Sequence, residues 1–291
     1  MTAAAAAAGR LAAAVALLLL PRPPRAEAPA PVAGATAREA LARVLEDDGA
    51  GQGPLVLGVG ELHQTTATAG IPSSLARFTR EIWPLLAARA SDLIVETWVT
   101  DGACGRAETA TVEKVEKTTE RPAATESEIV TLLERAKAGG ARPHILKVGC
   151  QEYRQLSPGA GAGPLDFQRM LALIQRKLAV KLTEVLAARP ARDADRLVVV
   201  YGGALHNDLH PDPALAPFSY GVPAYRATMA RYRELDLYVP EYLERTPAMQ
   251  QEAWFPVWRG AARPGQLTLI RRSAGSFVLI FPVSAAGHPH L

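Results

Sequence analysis

The 291 residues carry 32 Lys plus Arg against 29 Asp plus Glu, a net charge of +3, and 48% of them are hydrophobic. So small an excess of scattered basic residues, with no aromatic interleaving, argues against nucleic acid as a partner. The hydrophobic share suits a packed core of one domain, and six histidines and two cysteines leave few combinations for a chemical site.

Residues 1–28 read as a signal peptide. Arg10 precedes an apolar run from Leu11 to Leu20, and Ala26-Glu27-Ala28 has the small-x-small form of a cleavage site. The run is about half a bilayer span. Export to the periplasm or the outside is therefore expected, with no stable membrane anchor after cleavage. Residues 29–35, rich in Ala and Pro, read as a flexible spacer, and 36–291 as a single α/β domain.

Thr36-Ala37-Arg38-Glu39 has the form of a capping box and starts a helix with Ala40, Leu41, Val44 and Leu45 on one face. Pro54 to Gly60 is a short apolar run ending in glycine, a buried parallel strand. Ile71 to Ala90 reads as a helix that Pro84 should kink or split. Asp92 to Glu96 is the second strand and completes a right-handed βαβ unit. Residues 101–127 form a polar excursion, either a solvated loop or short polar helix, or a cover over the site. A short helix over Glu128–Ala138 leads to a third strand, His144 to Cys150. The longest helix runs from Leu165 to Ala188 with Phe167, Leu171, Ile174, Leu178, Leu182 and Val185 along one stripe. Leu197 to Gly203 is the fourth strand, the most β-branched run in the chain. Leu235 to Val239, Leu267 to Ile270 and Ser276 to Val283 read as strands, with a hairpin turn at Ser273-Ala274-Gly275-Ser276. The predicted fold is α/β: a mainly parallel central sheet flanked by helices, with an antiparallel C-terminal edge hairpin.

Chemistry is concentrated where strands end. The first strand closes as Gly60-Glu61-Leu62-His63, and the fourth as Gly203-Ala204-Leu205-His206. Side chains just beyond parallel strands face the crevice where open α/β sheets bind ligands. Glu61 and His63 share a face of extended chain, so the carboxylate can orient the imidazole or strengthen its basicity, and either residue can bind metal. Glu96 ends the second strand, and a carboxylate there is costly to bury unless paired. His210 offers a third imidazole or is solvated. Arg154 either pairs with Glu152 or receives an anionic or carbonyl oxygen of a substrate. Cys104 and Cys150 fall near the same edge. In an oxidising compartment a disulfide is expected, tying the excursion to the sheet and contributing on the order of 4 kcal/mol in the chain-entropy model; a catalytic cysteine is the alternative. His144 falls at the opposite edge, and His288 and His290 in the tail. The sequence contains no Gly-x-Ser-x-Gly elbow, Walker loop, dinucleotide fingerprint or His-Glu-x-x-His.

Gly60-Glu61-Leu62-His63, Glu96 and Gly203-Ala204-Leu205-His206, in that order, resemble the superfamily that joins Tiki and TraB proteins, ChaN-like haem-binding lipoproteins and erythromycin esterases. The resemblance covers roughly residues 54–210, and the Gly-Glu-x-His form is closer to the ChaN-like and esterase branches. The lipoprotein cysteine of ChaN-like proteins is absent, the extra helices of the esterases do not fit this length, and the excursion has no counterpart. The resemblance implies one of two hydrolytic chemistries or a binding role. Tiki-type members use the histidines and glutamate for a divalent metal in peptide hydrolysis. Esterase-type members use the first His as a base for water, and ChaN-like members bind haem.

These residues point first to an exported hydrolase acting on a small molecule or peptide, with Glu61 or His63 activating water and Glu96 and His206 polarising the scissile carbonyl. The same His63, Glu96 and His206 could instead hold Zn, Mn, Co or Fe. The alternative is haem or another cofactor bound without catalysis, with Tyr201, Tyr153 or a His as axial ligand.

Overall fold

A computed structural model describes residues 28–32, 36–46, 53–157 and 164–284; the signal-peptide reading falls outside them, except for Ala28. In chain order the strands are β1 (Ala30–Val32), β2 (Val56–Glu61), β3 (Ala90–Asp101), β4 (Arg142–Gly149), β5 (Leu197–Gly203), β6 (Tyr232–Tyr238), β7 (Thr268–Ser273) and β8 (Ser276–Ile280). The helices are α1 (Ala37–Val44), α2 (three consecutive segments, Ser74–Arg77, Phe78–Ile82 and Trp83–Leu86), α3 (Arg106–Thr119), α4 (Ala124–Ala138), α5 (Cys150–Leu156), α6 (Phe167–Ala188), α7 (Ala204–Asn207), α8 (Gly221–Ala227), α9 (Pro240–Leu243), α10 (Pro247–Gln250) and α11 (Trp254–Ala261).

The strands make one sheet in the order β1-β7-β8-β6-β2-β5-β3-β4. Every neighbouring pair is parallel except β7 with β8 and β1 with β7. The expected α/β class, parallel centre and antiparallel C-terminal hairpin are therefore present. Side chains alternate between the two faces of the sheet. Leu57, Val59, Val199 and Leu235 face one layer, where Leu41, Phe78, Ile82 and Leu132 bring α1, α2 and α4 against them. Val56, Val198, Val200 and Tyr232 face the other, covered by α5, α6 and α8 through Tyr153, Leu178 and Ala224. Burying each of these larger aliphatic side chains stabilises the fold by roughly 1.5–3 kcal/mol.

Several expectations need correcting. The spacer is in part a strand: Ala30, Pro31 and Val32 pair with Arg271, Ile270 and Leu269 of β7. An edge strand tolerates proline because one side of it needs no ladder donor. Pro84 coincides with the break expected in α2, at the start of its third segment. The chain widens into a π turn at Phe78–Ile82, which accommodates the proline's missing N–H and its ring. Phe167 is 46% exposed rather than part of the buried stripe on α6, whose inner face is Met170, Leu173, Ile174, Leu178, Leu182 and Val185. The excursion is helical: α3 occupies most of it, and the Cys104–Cys150 disulfide ties its start to the head of α5. No helix among the described residues is long and apolar enough to cross a membrane.

The topology places the site. β2 and β5 are neighbours, yet β2 continues through α2 on one face while β5 continues through α8 on the other. Adjacent parallel strands whose connections leave on opposite faces open a crevice at their carboxyl ends. Both Gly-x-x-His motifs begin at that crevice.

Candidate functional site

His63 stands at the centre of a directed chain of hydrogen bonds. Tyr201 donates its hydroxyl to Glu61 Oε2 at 2.6 Å, and Glu61 Oε1 lies 2.8 Å from His63 Nδ1. Burial, the Glu61 charge and that hydrogen bond hold the Tyr201 phenol well above its ordinary range, so it remains a donor. A carboxylate on Nδ1 fixes the proton there and leaves Nε2 with its lone pair. Arg121 Nη2 donates to that lone pair at 2.5 Å.

Glu96 reaches the same imidazole from β3. Its Oε1 is 3.9 Å from His63 Nε2, and its Oε2 accepts the Gly203 N–H at 2.7 Å. The placement comes from an irregularity in β3: Val95 pairs with Ile145 but Trp98 with Leu146, so Glu96 and Thr97 are extra residues against β4. Such bulges re-aim side chains beside functional sites. Glu96 is buried, which alone raises its pKa, yet the net direction is down, because His206, His63, Arg121 and the Gly203 N–H all favour its carboxylate. Glu96 is therefore ionised under neutral conditions. His206 begins from β5 through α7, and its Nδ1 donates to the Phe218 carbonyl at 2.7 Å, which fixes the ring.

The glycines explain why the two motifs need each other. A Cβ on Gly60 would sit 2.6 Å from Ala204 Cα, at the start of the second motif's helix, and one on Gly203 would sit 2.9 Å from His63 Nε2, at the end of the first motif. A Cβ on Gly202 would lie 2.8 Å from Glu96 Cβ. Each motif's glycine thus makes room for the other motif. Directly after His206, Asn207 Nδ2 donates to Asp236 Oδ1 of β6 at 3.0 Å and to the Gly58 carbonyl at 3.3 Å, anchoring α7 across the sheet.

These groups form the floor of a cavity of about 650 Å³. Glu61, His63, Glu96, Arg121 and His206 all line it. Its walls come mainly from α3 and α6, through residues such as Val112, Val115, Met170 and Ile174. The excursion is therefore a cover over the site. Two expected members are elsewhere. Arg154 is exposed and does not line the cavity; Glu152 pairs instead with Arg176 at 2.9 Å and Lys177 at 2.7 Å. His210 does not line it either; its backbone N–H donates to Asp208 Oδ1 at 2.7 Å and its ring lies beside a separate buried cluster. His144 pairs with Asp92 at 2.9 Å near the start of β3, as expected for the opposite edge.

The residues do not fit a resident metal as they stand. No group of three His, Cys, Asp or Glu side chains among the described residues converges closely enough to hold an ion. The lone pair that His63 would give to an ion is already taken by a guanidinium. For haem, neither tyrosine is placed to serve: Tyr201 is committed to Glu61 and Tyr153 lies 3.1 Å from Thr100 Oγ1, and neither lines the cavity.

Sequence reasoning missed Arg121. It lies in the turn between α3 and α4, flanked by Glu120 and Pro122, and nothing around it marks a site residue. It also missed the buried cluster beneath α7, where Arg272 pairs with Asp208 at 3.2 Å, Glu234 at 3.2 Å and Asp236 at 3.0 Å. Comparisons with protein-family models, curated proteins and solved structures return no match to this chain.

Proposed function

We propose that the protein is an exported hydrolase in which His63 is a general base for water, used without a metal. The observation that carries this reading is the Tyr201–Glu61–His63 chain ending at the floor of a cavity. A buried carboxylate on Nδ1 orients the ring and stabilises the imidazolium formed when Nε2 takes a proton from water. Arg121 would leave Nε2 for the substrate's carbonyl oxygen and stabilise the negative charge that grows there. His206, its ring fixed by the Phe218 carbonyl, is placed to exchange a proton with the leaving group. The reaction this supports is attack of water on an ester or amide carbonyl. Under the same reading the chain belongs with the esterase-like branch of the superfamily that its paired motifs resemble, and the disulfide and signal-like N-terminus suit a periplasmic or secreted location.

His63→Ala should lower kcat/KM for any responsive ester or amide by on the order of 10² to 10⁴ while leaving the thermal transition intact. A chelator should leave the wild-type rate unchanged. Full activity in His63→Ala would overturn the base assignment. A rate abolished by chelator and restored by Zn or Mn would overturn the metal-free mechanism.

A further inference from the structure

The composition of the cavity identifies what it holds. Its charged groups are the floor residues and Glu116; the rest of the lining is mostly apolar. The wall on α3 is informative. Between Arg106 and Arg121 the chain has only two large apolar residues, Val112 and Val115, and both line the cavity. With Glu116 and Thr119 they lie at helical spacing, so one face of α3 looks inward. Both valines also pack in part against the core layer of α5 and α6, so one apolar face of α3 closes both the core and the cavity. The opposite wall supplies Phe167, exposed at the head of α6, together with Met170 and Ile174. Methionine adapts to apolar shapes of varying length. Among the described residues that line the cavity, Arg121 is the only Lys or Arg. A single guanidinium at the polar end of an apolar cavity, its charge balanced by Glu96, suits the uncharged carbonyl of one ester or amide bond.

From these features we infer that the substrate is an ester or amide of a long aliphatic acid, its chain between α3 and α6 and its carbonyl at His63. This rests on the hydrolase reading and deepens it. Water adds to the carbonyl carbon as its proton passes to His63 Nε2. The C–O or C–N bond to the leaving group then breaks and the leaving group takes that proton; the aliphatic acid that remains gives its other proton to solvent and departs as the carboxylate.

The test separates the pocket from the chemistry. Binding of sodium dodecanoate and sodium butanoate, below micellar concentration, is measured by calorimetry on the wild-type protein and on His63→Ala. Hydrolysis of p-nitrophenyl butanoate, octanoate and dodecanoate is measured on the wild type. Dodecanoate should bind at least about 100-fold more tightly than butanoate, because each buried methylene contributes roughly threefold to fourfold. His63→Ala should retain that preference. Turnover should rise with chain length by a similar factor per methylene. Val115→Glu should weaken dodecanoate binding at least about tenfold without changing butanoate, and the wild-type chain-length series stands even if that variant misfolds. Dodecanoate binding with no ester hydrolysed would sink the hydrolase reading and leave the pocket assignment in place. Faster hydrolysis of butanoate than dodecanoate, or equal binding of the two acids, would overturn the substrate class. So would hemin binding in the cavity that displaces dodecanoate with far higher affinity.

Discussion

The sharpest test of the site's geometry is one substitution made at two places. Gly60→Ala and Gly203→Ala each add a single methyl to the glycine of one motif. Neither position needs glycine's backbone freedom: Gly203 has φ −71° and ψ 140°, and Gly60 is not among the glycines of positive φ. What differs is the neighbour. At Gly203 the methyl meets an imidazole edge at 2.9 Å, and reaching ordinary contact at 3.4 Å takes a shift of about 0.5 Å. The ring can move, but only by lengthening the bonds to Glu61 and Arg121. A misplacement of about 1 Å can cost on the order of 10²-fold, so half of that predicts a fall of about tenfold in kcat/KM. The fold should hardly notice, because Ala also reduces the freedom of the unfolded chain by about 0.4–1 kcal/mol. At Gly60 the methyl meets Ala204 Cα and Asn207 Oδ1, both at 2.6 Å, and also Asp236 Oδ1. One neighbour is backbone, and the side chains of the other two are tied together through Asn207 Nδ2, which donates to Asp236 Oδ1. Overpacking there should cost about 3 kcal/mol, and at roughly 2–4 °C per kcal/mol the transition should fall by about 6–12 °C. Thermal melts by circular dichroism and ester hydrolysis read both arms. Equal transition temperatures for the two variants, or full activity in Gly203→Ala, would refute the reciprocal packing of the motifs.

Two further outcomes follow from the same structure. Reducing the Cys104–Cys150 disulfide, whose partners are 46 residues apart, should lower stability by about 2–4 kcal/mol and raise KM, because it ties α3 to the sheet; an unchanged melt in reductant would contradict this. Burial pushes the Asp236 carboxyl up to about 6 against the downward pull of Arg272, and burial raises Glu234 as well. Asp236 therefore holds more protons folded than unfolded, so its contribution is fully present below its ordinary 3.8 and is lost as pH rises through about 6, at most about 3 kcal/mol in all. Melts from pH 4 to 8 should show that decline in the wild type and a flatter profile in Asp236→Asn; parallel profiles would remove Asp236 as the cause.

Much of this was legible in the chain because local chemistry and tertiary role agreed. The capping box at Thr36 and Glu39 forms as expected. The β-branched run of β5 is buried throughout, and the turn at residues 273–276 closes a hairpin. The edge that carries the candidate site was readable because glycine, histidine and glutamate at strand ends have few structural uses. Other elements were obscured by compensation that no local pattern reveals. The start of β6 is one: a strand was expected from Leu235, yet it begins at Tyr232 with Arg233 and Glu234 buried, and it pairs in parallel with β2. Its buried carboxylates are tolerable because Arg272 arrives from β7, a partner 36 residues beyond Asp236. β1 was hidden by its Ala and Pro composition, since its strand character comes from the exposed edge of β7 rather than from its own side chains. Arg154 and His210 were drawn toward the site by proximity in sequence, but α5 turns Arg154 outward and the chain after His206 carries His210 beneath α7.

Arg121 supports the proposed metal-free base over a metal site, two chemistries that the histidines and glutamates serve equally well. His63, with a carboxylate on Nδ1, has the support typical of a metal ligand and equally that of a general base. The difference lies in what meets Nε2. An ion there would need the lone pair and a converging set of donors, and would be repelled by a guanidinium within bonding distance of the same nitrogen. Under the proposed hydrolase reading, a base needs that lone pair only when water and substrate are present, and a guanidinium that moved to the carbonyl oxygen would serve the reaction twice: it would occupy the base at rest and stabilise the oxyanion during attack. Glu96, ionised 3.9 Å from Nε2, balances the guanidinium and would balance the imidazolium that the proposed reaction creates. The residue that gives the shared constellation this direction comes from the turn between α3 and α4, the same part of the chain that closes the cavity above it.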